Sequence, residues 1–584
     1  MRVMKNIFKI SLVAISFVAL LSCNKDLLDK SPFDQVSSGN MWTTESNADF
    51  GVNGVYSCLL STYCGNNVTA EQFAATTSFS SALPLWTGTA TTSDATFSDA
   101  WSQLYEGVSR ANDAIDNLPN VPMDQAKINR LIAECKFLRA YYYTLLNCYF
   151  RGVPLYLTTT NLQDFIKPRD SETDVWDAVI ADLTDCIAEK DLPIKYSAGD
   201  ANFGRATKGA AYSLRGIAYL WKKDWANAEK DFLDVTKCGY SLFQGELKAL
   251  FKAANEQSDE MIFTVQCTNE DVAHANEIGW KFGSRDTWGS GFSNFLPANK
   301  FVDSYTYKDG RPFDWDEVLP GYSSMGANAR SVFFLRDNMT DSEKATMSSY
   351  GADLSLYLDE GNEARILKAY TDRDPRLGEF IITPYSTYHG CNKNTGIHYI
   401  HTRRWPYRLD TDEPYDLRTN QNNYFYYMFR KFVPEGNEIV ARDRCDFDVP
   451  ILRYANILLK LAEALNEQGK TDEAVKYVNM VRERAGVAPL NSNQYTQVKD
   501  QADMRKRIQQ EVRWELCGEA VTYFDDLRWN CRKEEKFYEG SGLIAIWGTP
   551  TYNNVYVDYY DIWPIPQAEI EKNRNLTQNP GWIN

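Results

Sequence analysis

"ILLKLAEALNEQGKTDEAVKYVNMVRERAG" (Ile457–Gly486) repeats the plan of "SLRGIAYLWKKDWANAEKDFLDVTKCG" (Ser213–Gly239). Each is an apolar helix pattern, a polar turn and a second helix pattern. Tyr454, Ile457, Leu458, Leu461 and Leu465 fall at helical spacing and form one apolar stripe. The second helix of each pair opens with a small residue and follows it with a large one: Ala474 then Val478, Ala228 then Phe232. Small residues let helix backbones approach, and large ones fill the gap beside them. This is the plan of a tetratricopeptide-like helical hairpin; an ordinary αα-hairpin is the plainer alternative.

Outward from these hairpins the helical pattern continues. "INRLIAECKFLRAYYYTLLNCYF" (128–150) is apolar nearly all round, which predicts a buried helix. "DAWSQLYEGVSRANDAIDNLP" (99–119), "ETDVWDAVIADLTDCIAEK" (172–190) and "TKGAAYSLRGIAYLW" (207–221) are further helices. Residues 46–62 read as an amphipathic helix with Phe50, Gly54 and Tyr56 near its packed side. Residues 63–97 are rich in Ser, Thr and Ala and read as loops, with Trp86 among them. Between about 255 and 445 long helices give way to Gly, Pro, Asn and aromatics, and "EMIFTVQC" (260–267) reads as a strand. The expected fold is therefore mainly α: helical hairpins supporting a loop-rich region with a few short strands. No low-complexity linker divides the chain, so residues 46–250 and 251–584 are expected to pack as one unit. Long irregular segments on a rigid scaffold usually carry function.

The N-terminus has the layout of an export signal. Arg2, Lys5 and Lys9 precede an apolar run, Ile10 to Leu21, that is too short to span a bilayer. Leu20-Leu21-Ser22-Cys23 resembles the bacterial lipobox, in which the cysteine is acylated and becomes the first mature residue. Residues 1–22 then form the signal peptide and 23–45 a lipidated tether. Asn24 to Asp26 resembles a surface-export signal of Bacteroidetes lipoproteins. Two or three acyl chains anchor stably where one does not.

Charge and motif chemistry exclude several classes. There are 78 acidic residues against 62 basic ones, and loss of the leader raises the acidic excess by three. Such a chain repels phosphate backbones, so nucleic acid is not an expected partner. Of the twelve cysteines, Cys23 is assigned to lipid and the rest are odd in number, with no C-x-x-C pair. Cys58 and Cys64 bracket a loop short enough to bridge; Cys135, Cys148 and Cys186 read as small core residues. "ALNEQGKT" ends like a phosphate loop, but Ala464 replaces its first glycine and a helix precedes it. His398 and His401 lack the glutamate of a zinc-protease helix, and no nucleophile elbow occurs. No catalytic residue, metal site or cofactor is expected.

The segments taken together resemble the SusD/RagB family of outer-membrane nutrient-binding lipoproteins. The likeness begins at "CNKDLLDKSPFDQVSSGNMWTTESNADFGVNGVY". It continues through "RANDAIDNLP", "AECKFLRAYYYTLLNCYFRGVPLY", "GRATKGAAYSLRGIAYLWKKDW", "DRDPRL" and "PILRYANILLKLAEALNEQG". It ends with "VNMVRERAGV", "EVRWELCGEAVTYFDDLRW" and "YYDIWPIPQAEIEKNRNLTQNPGW". Val521-Thr522-Tyr523 departs from the usual arginine-containing stretch, and Gly581-Trp582 stands where tyrosine is common. The resemblance implies a non-enzymatic protein, lipid-anchored in the outer membrane and facing outward. Such a protein captures oligosaccharide and passes it to a TonB-dependent, SusC-like transporter. Peptide binding is the alternative within the family, and a glycoside hydrolase the alternative outside it.

Sugars present flat C–H faces that stack on aromatic rings and hydroxyls that need hydrogen-bonding partners. In the family, ligand loops come from the early Ser/Thr-rich insertion and from the segment after the central strand. Trp86 falls in the first, and Trp280 and Trp288 in the second. Arg285, Asp286 and Asn294 are the expected hydrogen-bonding groups. Trp315 and Trp405 are further loop candidates, for which packing on the body is the stronger alternative. Arg453, Tyr454, Arg528, Trp529 and Trp563 to Pro566 are read as scaffold.

Overall fold

Both hairpin segments fold as helix pairs in the computed structural model. It describes residues 41–583 apart from 66–67, 162–163, 289–290, 393–396, 409–412, 420–424 and 439–443. Cys23 and the leader lie outside the described residues. The scaffold helices are α1 (Glu45–Ser57), α2 (Ala95–Asn117), α3 (Gln125–Phe150), α4 (Glu172–Ala188), α5 (Lys208–Trp221) and α6 (Trp225–Val235). In the second half come α7 (Tyr454–Glu467), α8 (Thr471–Arg484), α9 (Gln501–Leu516) and α10 (Val521–Trp529).

The helix ends follow local chemistry. Ser171 and Asp174 form a capping box on α4, Thr207 caps α5 and Asp224 caps α6. The turn between α7 and α8 needs Gly469, whose φ is +78°, so the phosphate-loop-like string is a hairpin turn. Close packing explains the small residues. A Cβ on Gly216 of α5 would lie 2.4 Å from the Phe232 ring of α6, and one on Gly107 of α2 would lie 2.5 Å from Tyr142 of α3. Every residue of α3 from Phe137 to Phe150 is buried, as its all-round apolar sequence predicts. Helix α7 packs on both α6 and α9, which joins the two hairpins.

Short two-stranded pairings tie distant segments together. Met261–Val265 pairs antiparallel with Val449–Arg453, which runs directly into α7. Thr77–Phe79 pairs antiparallel with Phe295–Pro297, so the early loop and the segment after the central strand lie side by side. A buried ion network then locks loops to helices. Arg453 bonds Glu260, Glu515 and Glu519, each at 2.7 Å. Arg484 bonds Glu260 at 3.0 Å and Glu515 at 2.6 Å, and Arg376 of "DRDPRL" bonds Asp374 and Glu511. Burial alone would push the Glu515 carboxyl up. The charges of Arg484, Arg453, Arg376 and Lys431 outweigh it and hold that carboxyl well below its ordinary value. Arg453 and Tyr454 are thus scaffold, as read. So are Trp563, stacked on Tyr149 at 4.1 Å, and Arg528, which bonds Glu463 and Asp525.

Two local readings are corrected. Helix α1 stops at Ser57, and its packed side is Ala48, Val52 and Val55; Phe50 is 61% exposed and Gly54 has open space beside it. Tyr56 does lie near the packed side, with its hydroxyl donating to Glu134 of α3 at 3.0 Å. Second, Trp86 is not in a loop but in a short helix, Pro84–Thr87. Cys58 and Cys64 are free buried thiols, and Cys135, Cys148 and Cys186 are buried as expected.

Candidate functional site

The loop-rich face divides the six residues singled out in sequence. Trp86 is 1% exposed and belongs to the core. Its ring meets Phe73 at 5.2 Å, and the Lys536 ammonium lies 5.2 Å from its centre on another side. The Trp86 carbonyl accepts the Val555 N–H at 2.7 Å. It has no face left for a sugar. The small polar residues around it in sequence do not bury it; Phe73 and Lys536 lie against its ring. Lys536 is held by the carbonyls of Gln72 and Thr77, and burial with Arg532 nearby lowers its pKa to about 7.

Asp286 is likewise removed from the surface. It is buried, accepts the Arg418 backbone N–H at 2.7 Å and pairs with the Arg418 guanidinium at 2.6 Å. It therefore pins the loop instead of offering a hydrogen bond outward. Gly291 also serves the interior: a Cβ there would sit 2.2 Å from the Ser284 carbonyl. It gives no evidence of backbone approach to a ligand.

The remaining four residues lie in one folded segment. The Phe292 N–H donates to the Trp280 carbonyl at 3.0 Å, which sets the two rings 4.8 Å apart. The Arg285 guanidinium lies 5.5 Å from the Phe292 ring on the same cluster. Asn294 is held against the early loop, with its Oδ1 accepting the Ser80 hydroxyl at 3.3 Å and its carbonyl accepting the Ser80 N–H at 2.8 Å. Trp288 is half-buried at a left-handed φ of +57°. Such a conformation is uncommon for a bulky residue and is held by its surroundings. Trp280, Arg285, Phe292 and Asn294 thus make a half-buried aromatic and cationic ridge beside the paired strands.

A cavity of about 220 Å³ opens elsewhere on the loop-rich face, lined by Tyr350, Trp405, Trp547, Asn328, Ser331 and Thr549 with Met347 and Ala352. Its floor is an aromatic cluster. Trp547 stacks on Phe425 (6.3 Å, 14°) and meets Trp405 at 5.9 Å. The Ile546 N–H bonds the Phe425 carbonyl, the Arg336 N–H bonds the Trp405 carbonyl, and the Trp547 indole N–H donates to the Thr549 hydroxyl at 3.0 Å. These bonds fix the rings before any ligand arrives. Tyr350 is 61% exposed. Asn328 lies over Gly351, where an added Cβ would be 2.4 Å from its amide nitrogen. The lining is aromatic, hydroxyl, amide and thioether, a set that stacks flat C–H faces and bonds neutral hydroxyls.

Sequence reasoning missed Tyr350 and Trp547 and favoured packing for Trp405. Trp405 is buried, yet it lines the cavity. The signal for Trp547 is its place before Gly548, whose φ is +106°, at the tip between two short paired strands. Trp315 packs on Tyr322 at 4.7 Å. His398 and His401 stand three apart on a strand and so point to opposite faces. Among the described residues no group of three His, Cys, Asp or Glu is placed to hold a metal ion.

Residues 254–582 match the family model described as SusD family, and residues 28–220 match one described as starch-binding associating with outer membrane. The chain is 24% identical over 604 residues to SusD-like protein P38 of Formosa agariphila, covering 99% of each. It is 22% identical over 473 residues to starch-binding protein SusD of Bacteroides thetaiotaomicron, covering 79% of this chain and 74% of that one. A solved SusD-like protein from Bacteroides fragilis superposes with a TM-score of 0.73 at 24% identity, covering 95% of this chain and all of that one. A solved laminarin-binding SusD-like protein gives 0.59 at 21% identity, covering 92% and 100%. The structural likenesses show the fold.

Proposed function

From the premise that this chain belongs to the SusD family, we propose that it is a cell-surface, glycan-binding lipoprotein. It captures oligosaccharide at the loop-rich face and delivers it to a TonB-dependent, SusC-like transporter. The carrying observation is the cavity of Trp405, Trp547 and Tyr350 with its hydroxyl and amide walls. Each contact with a sugar face is weak, since about 50 Å² of apolar area is worth about 1 kcal/mol. Affinity then comes from several fixed platforms along a chain. The Trp280–Phe292–Arg285 ridge is a further platform on the same loop-rich face. Capture occurs without bond cleavage: glycosidic hydrolysis needs two carboxyl groups flanking the bond, and aromatic, hydroxyl and amide groups line this cavity.

The starch-binding relative and the laminarin-binding neighbour support a glycan as the ligand class. Acylation at Cys23 holds the chain at the outer membrane, and the tether ends before Trp42, whose indole N–H donates to Asp113 at 3.0 Å just ahead of the Thr44 cap of α1. Affinity electrophoresis against a panel of neutral polysaccharides tests the reading. Retardation by at least one polymer, with no release of reducing sugar, is expected; release of reducing ends would make it a hydrolase. Cys23→Ser releases the chain from membranes on fractionation, and a mutant still recovered with outer membranes would refute lipid anchoring. Co-purification from membranes in mild detergent recovers a large barrel protein if the transporter assignment holds.

A further inference from the structure

A second and larger cavity, about 330 Å³, lies on the helical side and shares no lining residue with the first. It opens between α2, the loop that follows α3, and the C-terminal helix Gln567–Lys572. We propose that it is a second saccharide site, taking one neutral mono- or disaccharide unit of a glycan. This rests on the reading that the chain binds glycans.

Three observations carry the proposal. The first is a continuous aromatic wall. Trp101 and Tyr105 stand one turn apart on α2 with rings 4.9 Å apart. Tyr105 meets Tyr156 at 6.1 Å, and Tyr156 meets Phe165 at 5.1 Å. The second is rigidity. The described part of the loop after α3 has little regular structure, yet its backbone is held at several points. The Tyr105 hydroxyl donates to the Pro154 carbonyl, and the Asn112 amide to that of Tyr156, each at 2.8 Å. Arg139 donates to the Leu157 carbonyl, and the Thr159 N–H donates to Asp116. Asn573 and Asn575, from the C-terminal segment, donate to the Lys167 and Ile166 carbonyls. A wall fixed in advance loses little freedom when a ligand binds.

The third observation is what this pinned loop displays. Of its large apolar side chains, Phe165 lines the cavity and is 42% exposed, whereas Leu157 and Ile166 are exposed away from it. An exposed ring at the mouth of an aromatic-walled cavity fits a binding site.

The chemistry selects the ligand class. The only charged groups of the described lining, Glu569 and Lys572, pair with one another at 2.7 Å. The other polar lining groups include the hydroxyls of Ser102, Ser109 and Thr158 to Thr160. Aromatic faces with a neutral hydroxyl rim fit a pyranose better than a charged peptide terminus. The volume is at the lower end of ligand pockets, about 300–1,000 Å³.

The test is calorimetric titration of the full mature chain with neutral trisaccharides of the malto-, laminari-, cello-, xylo- and manno- series. Four proteins are compared: wild type, Tyr350→Ala, Phe165→Ala and Ser109→Trp. Both Phe165 and Ser109 are exposed, so neither change opens the core, and Ser109→Trp fills the cavity mouth. The expected result is two trisaccharide equivalents per wild-type chain. Phe165→Ala weakens one event about tenfold, Ser109→Trp abolishes that event, and Tyr350→Ala weakens the other about ten- to a hundredfold. A single event weakened in Tyr350→Ala and unmoved by the other two changes overturns the second site and leaves the proposed function standing. A single event lost in Ser109→Trp and unmoved by Tyr350→Ala supports this cavity and overturns the assignment of the first. Two events both indifferent to Phe165→Ala and Ser109→Trp overturn the second site. No binding across the panel overturns both readings.

Discussion

The scaffold and the loop-rich face use the same kinds of side chain in opposite ways. In the scaffold, large rings and charges are enclosed from every direction. Trp86 lies between Phe73 and Lys536, and Arg453 spends its guanidinium on three buried carboxylates. On the loop face the enclosure is one-sided. Trp547 is backed by Phe425 yet borders the cavity, and Tyr350 projects into solvent. Deleting an enclosed group should therefore show up in stability, and deleting a one-sided group in affinity.

Arg453→Ala should have the largest effect. It leaves Glu260, Glu515 and Glu519 buried with fewer partners, and breaking a buried ion pair costs about 3–5 kcal/mol. Urea denaturation is the measurement, and a loss below about 1 kcal/mol would show that the network does not hold the scaffold. Trp86→Ala should cost about 3–5 kcal/mol through the cavity it leaves, with glycan affinity unchanged where the protein is still folded. Normal stability with lost affinity would move Trp86 back to the ligand site and break the contrast.

Acid should act on the scaffold first. Glu515 and Glu519 sit below their ordinary value in the folded chain, where neighbouring cations outweigh the upward push of burial. Unfolding returns them to the ordinary carboxylate range. Below about pH 4.5 the unfolded chain then binds protons that the folded chain does not, so stability present above that pH is lost as pH falls. Each group contributes up to about 1.4 kcal/mol per pH unit. Denaturation midpoints that stay level from pH 5 to pH 3 would contradict this. The Arg453→Ala chain should show a flatter acid slope.

On the loop face, Tyr350→Ala should cost about 1–3 kcal/mol of glycan binding, by analogy with aromatic stacking of nucleobases. Its stability should stay within about 0.5 kcal/mol of wild type, as for exposed positions in general. A large drop in melting temperature with full affinity would make Tyr350 scaffold. Trp288→Ala should have the smallest effect, about 1 kcal/mol of affinity, because one half-buried ring among several platforms carries only part of the binding. Titration of both variants against the same polysaccharide ranks them.

The helical hairpins were legible because helix packing is written locally. Apolar residues three and four apart and a small residue opposite a large one are visible within thirty residues, as at Gly216 and Phe232. The buried role of Arg453 was legible only through the family resemblance, since its three partners come from positions 260, 515 and 519. At the candidate site, Trp280, Arg285 and Asn294 could be named because one short segment holds them. Tyr350, Trp405 and Trp547 could not be assembled, because three separate loops bring them together.

From sequence alone came the fold class, the acidic character and the expected lipid anchor. Those properties are set by composition, by periodicity and by motifs contiguous in the chain. Which tryptophan faces a ligand was decided by tertiary structure. Trp86 sits among small polar neighbours in sequence and is buried against Phe73 and Lys536, the second more than 400 residues away along the chain. Exposure is a property of the space around a side chain, and that space is filled by whichever distant residues the fold delivers to it.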